Sequence, residues 1–280
     1  MSGIRDVKER VRHYNLAISP HRLGQHFLVE PKVLERIAGQ LQAGPGDRIL
    51  EIGPGLGALT EPLLATGATV YAVERDARFV RVLTDRFKEN AQLQLVRSDI
   101  LQVDLGSYAL GEPHSLLVMG NIPYSLTSPI LEFLVRQRQW VGRAVLTIQK
   151  EVAQRIVARP GTKACSSLSL FVSVAFKPSI AFQIGSGCFY PRPQVTSAVL
   201  RLDPLPAPVI PAQEEEAVLR LVRLIFTHRR KTILNALTSA GTGLEKPELS
   251  RRLKAAGIDS SRRPETFSLP ELADLHRSLQ

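Results

Sequence analysis

Apolar positions in the first half of the chain switch between two rhythms. Over 31–42 (PKVLERIAGQLQ), Val33, Leu34, Ile37, Ala38 and Leu41 recur every three or four residues, the spacing of one helical face, and Pro31 suits a first turn. Arg48–Ile52, Thr69–Glu74, Leu93–Val96, Ser115–Gly120 and Ala144–Gln149 are instead short apolar runs of the kind that form buried strands. Helical spacing returns between them over 58–65, 76–89 and 128–138, and residues 4–15 predict a short charged helix or arm. Strands that alternate with helices in this way predict an α/β fold of βαβ units around a parallel sheet.

The rhythm changes after about residue 160. Leu168–Phe176 and Thr196–Leu202 look like strands with no long helix between them, which predicts an antiparallel pair at one sheet edge. Pro204, Pro206, Pro208 and Pro211 predict a stiff linker. Beyond it, 212–238, 247–256 and 270–279 predict helices. The expected organisation is an α/β domain over 1–205, opened by a basic arm at about 1–22, and a small helical domain over 206–280.

A length of 280 residues agrees with two domains, and 44% hydrophobic with 22% charged residues excludes disordered and fibrous classes. Charge changes the picture more. Residues 41–132 carry a net −4, whereas 133–205 carry +8 and the two ends +3 each. An acidic block flanked by basic ones points to a polyanionic partner for the flanks and a different task for the middle; a merely solvated basic surface is the alternative. Cys165 and Cys188 form no CxxC and predict a reducing compartment without a structural metal. The first residues lack the apolar stretch of a secretory signal, and no run approaches the 18 apolar residues of a membrane span. The expectation is a soluble, cytoplasmic protein with no membrane partner.

Candidate chemistry begins at Glu51-Ile-Gly53-Pro-Gly55-Leu-Gly57, between a predicted strand and helix. Glycines there allow a tight turn and close approach of a ligand to backbone at a helix N-terminus. Glu74 ends the next strand, where an acidic residue accepts hydrogen bonds from ribose hydroxyls in nucleotide-binding folds. Asp99, with Ile100 after it, follows the third strand, where a carboxylate suits an adenine amino group. A dinucleotide site would use GxGxxG, but here the third glycine comes one residue early and Glu51 precedes the turn. That carboxylate would repel a pyrophosphate and tolerate a zwitterionic methionine tail or a sulfonium, which favours S-adenosylmethionine over a nicotinamide dinucleotide.

Asn121-Ile-Pro123-Tyr124 follows the fourth strand, on the sheet edge that carries Gly53, Glu74 and Asp99. A purine amino group is a poor nucleophile because its lone pair is delocalised into the ring. Two acceptors, the Asn121 side-chain oxygen and the Ile122 carbonyl, could hold its two hydrogens and favour a more pyramidal nitrogen. Tyr124 offers a face for stacking, a contact of about 1–3 kcal/mol. An Asn-Pro turn beside a core tyrosine is the plain structural alternative.

Five ordered segments, Leu23–Leu28 (LGQHFL), Glu51–Gly57, Asn121–Tyr124 (NIPY), Phe189–Val195 (FYPRPQV) and His228–Thr232 (HRRKT), together with Arg263-Pro-Glu265, resemble the ribosomal RNA adenine dimethyltransferase family, and within it the members that act on the small subunit. The resemblance runs from about residue 20 to the end. It implies a Rossmann-like class I S-adenosylmethionine-dependent methyltransferase domain with a small C-terminal helical domain. The implied reaction is N6,N6-dimethylation of two adjacent adenosines in the 3′-terminal hairpin loop of small-subunit (16S) rRNA, on a pre-30S particle and as a monomer. Gln25, His26 and Leu28 would close over the cofactor and Gly53 would touch its amino-acid end. Glu74 would hold the ribose, Asp99 the adenine, and Asn121 would lie between cofactor and target. Phe189 would face Tyr124 across the flipped base, which makes Asn121, Pro123, Tyr124 and Phe189 the expected reacting set.

One position departs from the pattern, since the family usually has Asn where this chain has His26. Arg229, Arg230 and Lys231, placed late in a predicted helix, are candidate phosphate contacts, as are Arg192, Arg155, Arg159 and Lys163. A helix C-terminus that merely favours cations would explain the first three equally well. Three rivals remain at this stage: a large-subunit rRNA adenine dimethyltransferase that confers antibiotic resistance, a non-catalytic RNA-binding assembly factor, and a small-molecule methyltransferase. The last leaves the basic flanks unexplained.

Overall fold

The computed structural model describes residues 2–16, 26–241 and 243–280. The chain divides into two compact units, Met1–Ala153 with Pro178–Pro204, and Gln154–Lys177 with Leu205–Gln280. One division falls between Pro204 and Leu205, and the segment from 154 to 177 groups with the later helices.

In the first unit the described strands are β1 (Phe27–Leu28), β2 (Arg48–Ile52), β3 (Thr69–Glu74), β4 (Leu93–Arg97), β5 (Leu116–Asn121), β6 (Val141–Gln149), β7 (Phe176–Ile184), β8 (Phe189–Tyr190) and β9 (Ser197–Pro204). β7 begins in the second unit and runs into the first. A seven-stranded sheet has the order β4-β3-β2-β5-β6-β9-β7. Its first five strands are parallel, and β9 runs antiparallel to β6 with Ala144 opposite Leu202. The last four residues of β2 are buried, as a central strand covered on both faces requires. β1 and β8 form a separate antiparallel ribbon that pairs Phe27 with Tyr190 and Leu28 with Phe189.

The helices follow their sequence signals. Asp76 accepts from Arg78 N at 2.9 Å and starts the helix Ala77–Phe87, which buries Phe79, Val82 and Leu83. The helix Thr127–Arg136 buries Ile130, Leu131, Phe133, Leu134 and Val135. Ile37, Leu41, Ile49, Leu63, Val70, Met119, Val145 and Val199 meet in one core cluster.

Three elements differ from the sequence reading. Leu168–Phe176 is no strand: Ser167–Ser173 is a helix, and the strand begins at Phe176. Ser166 and Ser169 close a capping box, with Ser166 N donating to Ser169 Oγ at 2.9 Å, and this local bonding overrides the apolar run. Pro178 is accommodated because β7 lies at the sheet edge. The single helix expected over 212–238 is two, Ala212–Phe226 and Ile233–Ser239, because the cationic stretch 228–231 offers no apolar face and Lys231 N closes a turn onto His228 O at 2.8 Å. A short helix, Leu105–Ala109, stands in the stretch read as turns, capped by Asp104.

The second unit is helical apart from the start of β7. The helix Ala212–Phe226 packs against Leu269–Leu279 and against Ile233–Ser239, and Lys246–Ala255 packs against the latter two. Val218, Leu221, Ile225, Leu237, Leu249, Leu253 and Leu272 are buried there. No helix among the described residues is long and apolar enough to cross a membrane.

Candidate active site

Strand register alone brings the chemistry together. Ile52 pairs with Val73 on one side and Gly120 on the other, so Gly53, Glu74 and Asn121 emerge side by side at the carboxyl ends of β2, β3 and β5. Glu74 in turn pairs with Arg97, two residues before Asp99. The strand order reverses at β2, and ligands of open α/β sheets bind at that point, outside the carboxyl ends. A cavity of about 610 Å³ opens there, within the 300–1,000 Å³ range of small-molecule sites.

Of the residues expected to touch a cofactor, His26, Leu28, Glu51, Gly53, Gly55, Glu74, Asp99, Ile100 and Asn121 line this cavity, and so do Pro123 and Tyr124. Gln25 lies outside the described residues. Gly57 lies behind the cavity, at φ +77°, where a Cβ would come within 2.7 Å of Phe87 and 2.9 Å of Leu83. It is a glycine because a helix packs on it. Gly53 has φ +62°, and a Cβ there would meet no atom within 4 Å and project into open space, so its bare backbone leaves room for a ligand.

Each carboxylate has a distinct environment. Glu74 is buried, and its two oxygens accept from Asp76 N at 2.8 Å and Gly55 N at 3.2 Å. Burial pushes its pKa up while these amides oppose the rise. Glu51, only 1% exposed, accepts from Thr60 Oγ1 at 2.6 Å. Burial pushes its pKa up to about 7; Thr60 opposes the shift, Glu74 adds to it and Arg86 opposes it. Asp99 accepts from Leu101 N at 3.1 Å and, at 3.4 Å, from the largely exposed Arg75.

At the other end of the cavity, Asn121 Nδ2 donates to the backbone carbonyl of His26 at 2.9 Å. That bond fixes the amide and turns its oxygen away from the tether. The Tyr124 hydroxyl and Ser197 Oγ are 2.7 Å apart, and burial raises the phenol pKa. The ring that lies over Tyr124 belongs to His26, with centroids 5.9 Å apart and planes inclined by 28°. His26 Nδ1 is 2.7 Å from the Pro191 carbonyl, which anchors the imidazole to the segment 189–195. Phe189, expected to face Tyr124, is not among the residues that line the cavity: it is 2% exposed and packs in the core cluster beside Leu28, its partner in the ribbon.

Sequence reasoning missed Thr60, Phe79, Asp76 and Ser197. Asp76 had a legible signal, an acidic residue just before a helical pattern, whereas Ser197 is brought to Tyr124 only by the antiparallel return of β9. The predicted phosphate contacts lie elsewhere. Arg192, Arg230 and Lys231 are exposed, Lys231 Nζ donates to Ser239 Oγ at 2.7 Å, and Arg229 is engaged within the second unit.

The sheet order, the glycine turn and the carboxylates at successive strand ends define a Rossmann-like class I methyltransferase. Solved structures agree on the fold: a dimethyladenosine transferase from Plasmodium falciparum matches with a TM-score of 0.73 at 23% identity, over 89% of this chain and 96% of that one. The 23S rRNA methyltransferase ErmE matches with a TM-score of 0.69 at 24% identity, over 90% and 99%. A model of the ribosomal RNA adenine dimethylase family matches residues 19–273, and the chain belongs to that family. Among its relatives, the ribosomal RNA small subunit methyltransferase A of Geobacter metallireducens is 43% identical over 92% of this chain and 94% of its own length. That of Moorella thermoacetica is 40% identical over 92% and 91%.

Proposed function

We propose that this protein dimethylates N6 of two adjacent adenosines in the 3′-terminal hairpin loop of 16S rRNA, acting as a monomer on a precursor of the small subunit, with S-adenosylmethionine as methyl donor. The observation that carries the reading is the tethered Asn121: with Nδ2 committed to the His26 carbonyl, its oxygen is left to accept an amino hydrogen beside the face of Tyr124. The cavity fits the donor, because the Cβ-free Gly53 leaves open space beside it and Glu74 and Asp99 line it. The donor, when bound, supplies a methyl group on a sulfonium.

This chain's residues bind and orient. Glu74 and Asp99 accept from ribose hydroxyls and the adenine amino group, Ile100 lies against the adenine, and Gly53 and Gly55 keep backbone close to the amino-acid end. A cationic ligand favours the ionised form of Glu51, whose pKa burial lifts to about 7. Leu28 and His26 close the site. Asn121 and the Ile122 carbonyl hold the two N6 hydrogens of an extruded adenosine, and Pro123 leaves no amide hydrogen to compete. Tyr124 stacks on the base, its hydroxyl held by Ser197. The proton leaves after transfer, so orientation and preorganised acceptors supply most of the rate. Arg192, Arg230, Lys231, Arg155, Arg159 and Lys163 supply salt-dependent affinity for phosphates.

Asn121→Ala tests this. It is expected to lower transfer by about two to three orders of magnitude, as loss of a preorganised polar group does, while small-subunit binding stays near wild type. Near-wild-type turnover would refute the role.

A further inference from the structure

Arg229 precedes two exposed cations, Arg230 and Lys231, and yet does not behave like them. One of its terminal nitrogens donates to the backbone carbonyl of Lys163, and its Nε lies 3.9 Å from Glu265 Oε2. Glu265 is mostly buried, and that oxygen is shielded from solvent with no hydrogen-bond partner, so the nearby guanidinium is what offsets its charge. The Glu265 carbonyl also accepts from Gly161 N at 2.8 Å. The loop 159–165 is therefore fastened at two points, once by Arg229 through Lys163 and once by the Glu265 backbone, and Thr162 Oγ1 bonds back to Arg159 O at 2.7 Å within it. Arg159, Lys163, Arg230 and Arg263 are exposed, while the Glu265 carboxylate is mostly buried.

We infer that Arg229 and Glu265 are positioning residues for RNA binding: together they hold the loop 159–165 so that Arg159 and Lys163 present their charges beside Arg230, and Arg229 itself makes no phosphate contact. The inference rests on the reading of this face as RNA-binding. It has a consequence opposite in sign to simple charge counting. Removing the negative charge of Glu265 should tighten the hold on a polyanion if charge alone mattered. If the carboxylate holds the clamp, removing it loosens the loop and weakens binding. A lysine at 229 keeps the charge but cannot present two donors in a fixed plane, so it cannot serve the Lys163 carbonyl and the Glu265 carboxylate together.

The experiment measures affinity of full-length Glu265→Gln, Arg229→Lys and Arg230→Ala for unmethylated small ribosomal subunits across a salt series, after thermal melts have shown each variant folded. Trypsin cleavage after Lys163 is followed in parallel. The clamp predicts roughly two- to fivefold weaker binding for Glu265→Gln, on the scale of a partly exposed ion pair, no rescue by Arg229→Lys, and faster cleavage in both. Arg230→Ala should lower the salt slope by about one. Unchanged or tighter binding by Glu265→Gln with a normal Arg230→Ala loss would overturn the clamp alone. Wild-type affinity and salt slope in all three would overturn the RNA-binding reading of this face, and the clamp with it.

Discussion

Glu51 gives the account a test that needs no substrate. Its carboxyl is 1% exposed, and burial lifts its pKa to about 7 from an ordinary 4.5. The folded state therefore holds the proton more tightly than the unfolded state, and stability must fall as pH rises. The loss begins near 4.5, grows by about 1.4 kcal/mol per pH unit, and levels off above 7 at roughly 3 kcal/mol. Glu51→Gln removes the titration and keeps an oxygen able to accept from Thr60 Oγ1, the bond now at 2.6 Å. Any fixed penalty of burying the amide is the same at every pH, so it cancels in the comparison. Between pH 5 and pH 8 the stability of Glu51→Gln relative to wild type should rise by roughly 2–3 kcal/mol. At about 2–4 °C per kcal/mol for a unit of this size, the difference in Tm should widen by roughly 5–10 °C. Thermal melts of both proteins at half-unit pH steps measure this directly. Parallel Tm curves from pH 5 to pH 8 would refute the reasoning and mean that Glu51 is already ionised in the folded protein.

Other perturbations separate the parts of the fold and site. Gly57→Ala combines positive φ with a Cβ 2.7 Å from Phe87, and should destabilise the protein by about 1–3 kcal/mol; a denaturant midpoint equal to wild type would contradict the packing role. Tyr124→Phe keeps the face and loses the 2.7 Å contact with Ser197, so it should retain most RNA affinity, whereas Tyr124→Ala should lose about 1–3 kcal/mol of base stacking; equal affinities would dismiss the stacking role. Glu271 is held down to about 2, first of all by its hydrogen bond from Arg262. Its stabilisation is present above the ordinary 4.5 and disappears as pH falls toward 2. The Tm gap between wild type and Arg262→Ala should therefore shrink below pH 4, and a constant gap would exclude the ion pair as its source.

The parallel half of the sheet was legible because each strand is a buried run closed by a turn, and register then dictates that Gly53, Glu74 and Asn121 share one edge. Legibility failed where local polar bonding competes with apolarity. The run Leu168–Phe176 reads as a strand by composition, but two serines closing a capping box decide for a helix. The stretch 228–231 reads as the end of a helix, but a histidine and three consecutive cations offer no apolar face to a core, and the chain turns there. At the site, spacing identifies the carboxylates and the amide, whereas the partners that set their geometry come from distant segments. The His26 carbonyl that tethers Asn121 is 95 positions away, and Ser197 is 73 positions from Tyr124. Phe189 shows the same limit in reverse: its place in a motif suggests the cavity, and the fold packs it in the core cluster.

The most direct test of the proposed function is methyl transfer from labelled S-adenosylmethionine to small subunits purified without this modification, with large subunits in parallel, the products read by mass spectrometry of nuclease fragments. The account predicts paired N6,N6-dimethyladenosines in the 3′-terminal hairpin of 16S rRNA and their absence with Asn121→Ala. Label confined to the large subunit would contradict the assignment of substrate, and tight small-subunit binding without any label would contradict the assignment of chemistry.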